Sequence, residues 1–123
     1  PPEAGLEPAE RLAAIHAVLD ERQHKQFQSD ERAAQSLVYR RAGKLGTARI
    51  AQELRRKGLD DSTIEQALDT LEGTELERAR EVWQRKFSQP PATPQERAKQ
   101  MRFLASRGFG GDVVRQVLRG SED

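Results

Sequence analysis

The pattern of residues 46–68 recurs 50 positions further along the chain, so that Leu54 corresponds to Leu104 and Gly58 to Gly108. Each copy predicts a helix, a glycine that ends it, and a second helix whose apolar residues recur at i, i+3 and i+4. Internal repeats of this period are typical of stacked helical units. We therefore predict an all-α chain built from tandem helical repeats.

The composition predicts thin cores that are shared between helices. Of the 123 residues, 35% are hydrophobic and 33% are charged, so long charged side chains must cover the edges of each core. The chain has no cysteine, which excludes disulfide bonds and cysteine-based metal sites. No apolar run approaches the length of a membrane span, so we expect no membrane partner.

The repeat divides the chain into four predicted parts. These are a flexible start with the last helix of an incomplete first repeat (1–28), a second three-helix repeat (29–72), a third three-helix repeat (73–119) and a tail (120–123). The helix of the first part is predicted to begin near Pro8 and to carry an apolar stripe. That stripe consists of Leu12, Ile15 and Leu19.

Side chains suited to capping mark the predicted helix starts. Ser29 is predicted to begin the first helix of the second repeat, which then buries Ala33, Ala34, Leu37 and Val38. Capping boxes are predicted at Ser62-x-x-Glu65, Thr74-x-x-Glu77 and Thr93-Pro94-x-Glu96. The sequence Glu-Arg-Ala occurs at residues 31–33 and again at 77–79. Aligning the two places Trp83 at the position of Leu37, which predicts that Trp83 is a core residue.

Residues that could carry catalysis are scarce. His16 and His24 stand two helical turns apart, too far to share a metal without other ligands, and we interpret them as surface or half-buried residues. Asp60 and Asp61 stand at a helix start, where carboxylates cap backbone N–H groups. No serine has a histidine or cysteine companion that would make it a nucleophile. We predict a protein without catalytic activity, cofactor or metal.

Charge is distributed in blocks, although the net charge is only +1. Residues 32–57 hold eight bases and one acid, residues 59–81 hold eight acids and two bases, and residues 82–119 hold eight bases and two acids. Fields of this size can steer a polyanion or a charged protein surface, although an ordinary solvated surface is an equal alternative. The candidate binding residues are Arg40, Arg41, Arg49, Arg55, Arg56 and Lys57, with Lys86, Arg102 and Arg107 as a second patch.

Aromatic residues lie near these cations and suggest a further contact. Trp83, Phe87, Phe103 and Phe109 are of the type that stacks on nucleic-acid bases. Trp83 and Phe109, however, occupy repeat positions that elsewhere hold leucine. We therefore expect these two to be core residues.

Residues 29–119 contain the segments SDERAAQSLVYRR, RIAQELRRKGLDDSTIEQAL, ERAREVWQRKF and ERAKQMRFLASRGFGGDVVRQVL. Together these segments resemble the RecX family of bacterial regulatory proteins. The resemblance implies an elongated, curved array of three-helix repeats. It also implies a cytoplasmic, monomeric modulator, usually an inhibitor, of the RecA recombinase, which lies along the groove of the RecA–DNA filament. Such a protein reduces ATP hydrolysis, strand exchange and co-protease activity without a catalytic residue of its own.

The chain departs from the family pattern at the start of the second repeat. Residues 29–33 read Ser-Asp-Glu-Arg-Ala and lack the aromatic residue that usually follows the arginine in the family. Most of the first repeat is also missing from the sequence pattern. We expect the first departure to affect local packing and the second to weaken binding to RecA.

Two alternatives to a RecA modulator remain from the residues alone. Three-helix units with basic ends resemble helix-turn-helix proteins, so the chain could be a DNA-binding module in its own right. Neither unit, however, offers an exposed helix with a dense polar row suited to base edges. The third alternative is a helical scaffold that binds some other protein.

Overall fold

The computed structural model describes residues 7–122 of the chain, with side chains up to residue 120. These residues form six helices and no strand: α1 (Pro8–Arg41), α2 (Thr47–Arg56), α3 (Asp61–Asp69), α4 (Glu75–Lys86), α5 (Pro94–Ser106) and α6 (Gly111–Glu122). The predicted all-α fold is therefore confirmed. The predicted flexible start at residues 1–6 and the terminal Asp123 lie outside the described residues.

Two separate hydrophobic cores divide the helices into two three-helix units. In the first unit, the C-terminal part of α1 packs with α2 and α3 around a core of Ala34, Leu37, Val38, Ile50, Ala51, Leu54, Ile64, Ala67 and Leu71. In the second unit, α4, α5 and α6 pack around a core of Ala79, Val82, Trp83, Leu104, Phe109, Val114, Val117 and Leu118. Tandem three-helix units are what the sequence repeat predicts.

The glycine that ends a helix in each repeat copy does so by adopting a positive φ. Gly58 has φ 84° and Gly108 has φ 95°, a region that side chains with a Cβ avoid. In the first copy this turn lets the N–H of Leu59 donate to the carbonyl of Leu54 at 3.4 Å. Such left-handed C-caps satisfy carbonyls that the helix leaves unpaired, so the predicted glycine stops are confirmed.

Helix α1 corrects the predicted helix start at Ser29. The helix is continuous for 34 residues from Pro8, and Ser29 lies within it. Residues 20–29 contain neither glycine nor proline, so nothing interrupts the backbone hydrogen bonds. The carboxylate of Asp30 accepts a hydrogen bond from Gln26 Nε2, one turn earlier, at 2.9 Å. Ala33, predicted to be buried, is exposed.

The buried residues of α4 correct the predicted position of Trp83 in the repeat. The buried apolar residues are Ala34, Leu37 and Val38 in α1, and Ala79, Val82 and Trp83 in α4. Because the spacing of the two sets is the same, Trp83 corresponds to Val38 rather than to Leu37. The prediction that Trp83 and Phe109 are core residues is confirmed, since they are only 7% and 4% exposed.

Of the three predicted capping boxes, one is confirmed in its N-cap. Thr93 Oγ1 accepts a hydrogen bond from the N–H of Glu96 at 3.1 Å, as predicted, whereas Glu96 Oε2 accepts from the N–H of Ala92 at 2.7 Å and not from that of Thr93. The cap of α3 is not Ser62 but Asp60, whose carboxylate accepts from the N–H of Thr63 at 2.8 Å, because the helix begins at Asp61.

Thr74 occupies the N-cap position of α4 without capping it. Its hydroxyl donates to the carbonyl of Leu71 at 2.7 Å and accepts from Arg78 Nε at 3.1 Å. The hydroxyl therefore has no hydrogen bond to a helix N–H.

At the other end of the second unit, α6 continues through Glu122, further than predicted, so that residues 120–122 belong to the helix.

The corrected caps predict different costs for two alanine substitutions. Thr93→Ala should lower the free energy of unfolding by about 1 kcal/mol, because it removes the hydroxyl that pairs with the first turn of α5. Ser62→Ala should change it by less than about 0.5 kcal/mol, since Ser62 is exposed and its side chain makes no hydrogen bond within residues 7–120. Urea unfolding followed by circular dichroism measures both values. Equal losses would contradict this assignment of the caps.

The N-terminal half of α1 carries the predicted apolar stripe, but no other described helix covers it. Leu12 and Ile15 are 54% and 56% exposed, and Leu19 is 46% exposed. The first unit packs only against the C-terminal part of α1. No helix in residues 7–122 combines the length and apolar composition needed to cross a membrane.

The two units meet where the backbone at the start of α2 closely approaches the backbone at the end of α5. The N–H of Gly46, at the start of α2, donates to the carbonyl of Arg107, at the end of α5, at 2.7 Å. A Cβ added to Gly46 would overlap the backbone of Gly108, and a Cβ added to Gly108 would overlap that of Arg49. The missing side chains of the two glycines therefore allow the units to approach each other at this point.

Candidate functional site

A continuous basic groove crosses the junction of the two units. It consists of three adjoining clefts with volumes of ≈ 270, ≈ 260 and ≈ 530 Å³. The first and second clefts share Lys44 and Arg107, and the first and third share Arg49, Gln52 and Arg56. We call this surface the junction groove. Its basic residues are Arg41, Lys44, Arg49, Arg55, Arg56, Arg85, Lys86 and Arg107.

Helix geometry in both units places these side chains on one surface. Arg49, Gln52 and Arg56 follow one another at i, i+3 and i+7 along one face of α2. Arg85 and Lys86 belong to the last turn of α4, and Arg107 is the C-cap of α5. Cations are favoured at helix C-termini because the carbonyl end of a helix carries partial negative charge. The contact between the units then joins these helix ends into one groove.

Glu53 is the one acid that lines these three clefts, and Arg41 neutralises it. Arg41 Nε and Glu53 Oε2 are 3.1 Å apart, and the two side chains are 41% and 28% exposed. An ion pair at such exposure contributes at most about 1 kcal/mol to stability. Within residues 7–120, no carboxylate lies within 4.0 Å of the other seven cations. The groove thus keeps a strong positive field.

Two of these cations are held in place by backbone carbonyls of the other unit. Arg49 NH1 donates to the carbonyl of Ser106 at 2.7 Å, from the first unit to the second. Arg85 NH2 donates to the carbonyl of Gly43, from the second unit to the first. These contacts orient the guanidinium groups while leaving their remaining N–H donors for a ligand.

Phe103 forms the apolar part of the groove. Its half-buried ring lies 5.5 Å from Lys86 Nζ and 5.0 Å from Arg107 Cζ, both within the range of cation–π contacts. On its edge it meets Phe87 in a T-shaped contact, with ring centroids 5.3 Å apart. The Phe103 ring therefore helps to position two cations of the groove.

The structure brings together six of the nine basic residues predicted to bind. Arg41, Arg49, Arg55, Arg56, Lys86 and Arg107 all line the junction groove, so that members of the two predicted patches share one surface. The remaining three do not line it. Arg40 and Arg102 are exposed on α1 and α5, and Lys57 is the exposed C-cap of α2.

Two residues of the groove were absent from the predicted binding set. Lys44 lies in the turn between α1 and α2, and Arg85 lies beside the predicted Lys86. For Arg85, the adjacent Lys86 at the same helix end was a usable signal. Lys44 belongs to the basic block 32–57, but only the docking of the second unit places its turn beside α4.

The residues considered for catalysis have other environments. His16 and His24 are exposed on α1. The backbone N–H of Thr63, followed by its hydroxyl, lowers the pKa of the Asp60 carboxyl below its usual value, as expected for a helix cap. Within residues 7–120 no three His, Cys, Asp or Glu side chains are grouped so as to hold a metal ion.

Four of the eight acids in the acidic block 59–81 line a separate cleft. Its carboxylates come from the end of the first unit and the start of α4, and they are Glu65, Asp69, Glu72 and Glu75. No base lines this cleft. Basic and acidic residues of the charge blocks therefore line different clefts of the folded surface.

Both units match models of known protein families. The family model described as "RecX, second three-helix domain" matches residues 29–68, and the one described as "RecX, third three-helix domain" matches residues 74–118. Together these segments cover most of the chain and correspond to the two packed units.

Several curated relatives are similar over most of their length. "Regulatory protein RecX" of Leptothrix cholodnii is 56% identical over 118 residues, which cover 96% of this chain and 72% of the relative. The proteins of the same name from Chromobacterium violaceum and Ralstonia nicotianae are 45% and 40% identical. The aligned segments cover 89% and 93% of this chain and 70% and 72% of those relatives.

Proposed function

The chain belongs to the RecX family of regulatory proteins, and from this membership we propose that it binds the RecA–DNA filament and inhibits it. In this proposal the junction groove is the binding surface, and the inhibited activities are ATP hydrolysis, strand exchange and co-protease activity. The observation that carries the proposal is that seven cations without a carboxylate partner, contributed by both units, line one groove.

The charge of the groove matches the chemistry of a nucleoprotein filament. DNA phosphates and protein carboxylates are both acceptors for guanidinium and ammonium groups, and arginine can engage either with two parallel hydrogen bonds. Because the cations come from both units, the groove can contact several acceptors of a repeating filament at once. Such contacts, although individually weak, add up through a high effective concentration.

A rigid body bound in this way inhibits without catalysis. RecA subunits must move relative to one another during the hydrolysis cycle and must admit a second duplex during strand exchange. A protein that bridges neighbouring subunits stabilises one arrangement of the filament, because a ligand shifts an equilibrium by its differential affinity for the two states. The proposal requires no cofactor or metal and involves a monomer acting in the bacterial cytoplasm.

The single-stranded-DNA-dependent ATPase activity of RecA tests the proposal. We expect the chain to reduce the rate of ATP hydrolysis at amounts below one chain per RecA subunit, because one bound chain bridges more than one subunit. The chain heated until its helical signal is lost provides the control. An unchanged ATPase rate in the presence of the folded chain would reject the proposed inhibition.

The second candidate is a stand-alone DNA-binding module, which the same groove favours. Its cations could neutralise the phosphates of naked DNA, and the affinity would then fall steeply with salt concentration. The net charge of +1 and the separate acidic cleft weaken the long-range attraction to naked DNA that such a module needs. Binding to DNA without RecA distinguishes the two candidates.

A further inference from the structure

Arg78 is a buried arginine of the second unit whose side chain reaches into the first. It is 8% exposed. Its NH1 donates to the carbonyls of Ala42 and Leu45 at 3.0 and 2.7 Å, and its NH2 donates to Thr47 Oγ1 at 3.2 Å. Its Nε donates to Thr74 Oγ1, within its own unit, at 3.1 Å. One guanidinium thus joins α4 to the turn between α1 and α2.

The hydrogen bonds of the Arg78 guanidinium fix the direction in which its side chain enters the first unit. Removing a charge from water is costly unless hydrogen bonds replace its hydration. No carboxylate within residues 7–120 forms an ion pair with Arg78. Burial lowers the pKa of Arg78, and the charge of Glu75 offsets this only in part. One acceptor is the carbonyl of Ala42, the C-cap of α1, where the helix carries partial negative charge. The others are the carbonyl of Leu45 in the following turn and the hydroxyl of Thr47 at the start of α2. Because the guanidinium is planar, these acceptors fix both the position and the angle of α4.

The other side-chain hydrogen bonds between the units are more open to water. Arg49 is exposed where it donates to the carbonyl of Ser106, and Arg85 is exposed where it donates to that of Gly43. Exposed hydrogen bonds compete with water and contribute little to a fixed orientation. The Arg78 contact is the buried one among these side-chain contacts.

We propose that Arg78 is a positioning residue that holds the two three-helix units in one fixed orientation and thereby gives the junction groove a single shape. The fixed orientation is a property of the chain alone. Its consequence for RecA rests on the proposed function.

The distance between the units can be measured directly. The chain contains no cysteine, so Gln66→Cys and Gln116→Cys, at corresponding exposed repeat positions, give one spin label in each unit. We expect one narrow distance distribution in the otherwise unchanged protein. Arg78→Met, which keeps the apolar stem and loses the donors, should broaden the distribution at least about twofold. Arg78→Lys should broaden it less, since an ammonium keeps the charge but cannot reproduce the planar set of donors.

Arg32→Met is the matched control, since Arg32 is exposed on α1 and should leave the distribution narrow. Circular dichroism verifies that each variant is helical. If Arg78→Met is folded and its distribution is as narrow as that of the parent, the proposal is overturned. If Arg78→Met does not fold, Arg78→Lys decides, and an unchanged width in that folded variant likewise overturns the proposal.

The RecA ATPase separates this inference from the proposed function. Folded Arg78→Met retains every basic residue of the groove, yet it should inhibit RecA about tenfold less well because the groove no longer has one shape. Equal inhibition by Arg78→Met and the parent would show that the function does not depend on the orientation. If the parent chain itself fails to inhibit RecA, the proposed function is rejected, while the distance measurement still decides the role of Arg78.

Discussion

Reversing Lys44, Arg55 and Arg56 to glutamate should raise the concentration needed to inhibit the RecA ATPase by at least about 100-fold. A charge-assisted hydrogen bond contributes about 1.5 kcal/mol or more, which corresponds to roughly tenfold in affinity. Three independent contacts would give on the order of 1000-fold. Arg55 and Arg56 are neighbours and need not act independently, so the expected loss is smaller than the product.

The three residues are suited to this test because the fold does not use them. Within residues 7–120 the side chain of none of them makes a hydrogen bond or an ion pair. Arg49 is left unchanged, since it also donates to the carbonyl of Ser106 in the other unit. A loss of inhibition in the triple variant, with unchanged circular dichroism, would therefore report on the groove rather than on the fold.

Arg40→Glu, Lys57→Glu and Arg102→Glu together form the matched control. This triple variant also changes the net charge by six, from +1 to −5. Arg40 and Lys57 stand at helix C-termini, as Arg55 and Arg56 do, so the cost to the helix dipoles is similar. We expect inhibition within about threefold of the parent, since long-range attraction alone is screened by salt. Equal losses in the two triple variants would reject the junction groove as the binding surface.

Leu104→Ala should lower the free energy of unfolding by about 2–5 kcal/mol. Leu104 is fully buried in the core of the second unit. Because single domains are stable by only about 5–15 kcal/mol, this loss is a large fraction of the total. Urea unfolding should show it clearly. Trp83, the only tryptophan of the chain, lies in the same core, so its fluorescence follows the unfolding of this unit.

Leu12→Ala provides the control for the loss of a leucine side chain. Leu12 is 54% exposed on the N-terminal half of α1, so its removal should change the free energy of unfolding by less than about 0.5 kcal/mol. A cost for Leu12→Ala as large as that for Leu104→Ala would show that the apolar stripe of α1 is covered in solution.

The repeat, the glycine stops and most core positions could be predicted from the sequence because they depend on local periodicity. Leu54 and Leu104 are both fully buried, and Gly58 and Gly108 both adopt the positive φ that the sequence pattern indicates. Local signals failed where two of them competed. Ser29 has the chemistry of an N-cap, but the uninterrupted helix around it prevailed.

The candidate site could be predicted only in part, because it depends on contacts between the units. Charge blocks identified Arg49 and Arg107, which lie far apart in sequence, but not that the two line one cleft. The burial of Arg78 had no signal in the sequence, since a buried arginine and a solvated one look alike there. Its acceptors in the other unit appear only once the fold is known.

The binding of the fluorescently labelled chain to RecA–single-stranded-DNA filaments, compared with naked single-stranded DNA at about 0.15 M salt, tests the central claim most directly. We predict saturable binding to the filament that is at least about tenfold tighter than binding to DNA alone, a difference of about 1.4 kcal/mol. The groove triple variant should lose this binding and the control triple variant should keep it. Equal affinity for filament and naked DNA, or filament binding that is unaffected by the groove reversals, would contradict the claim.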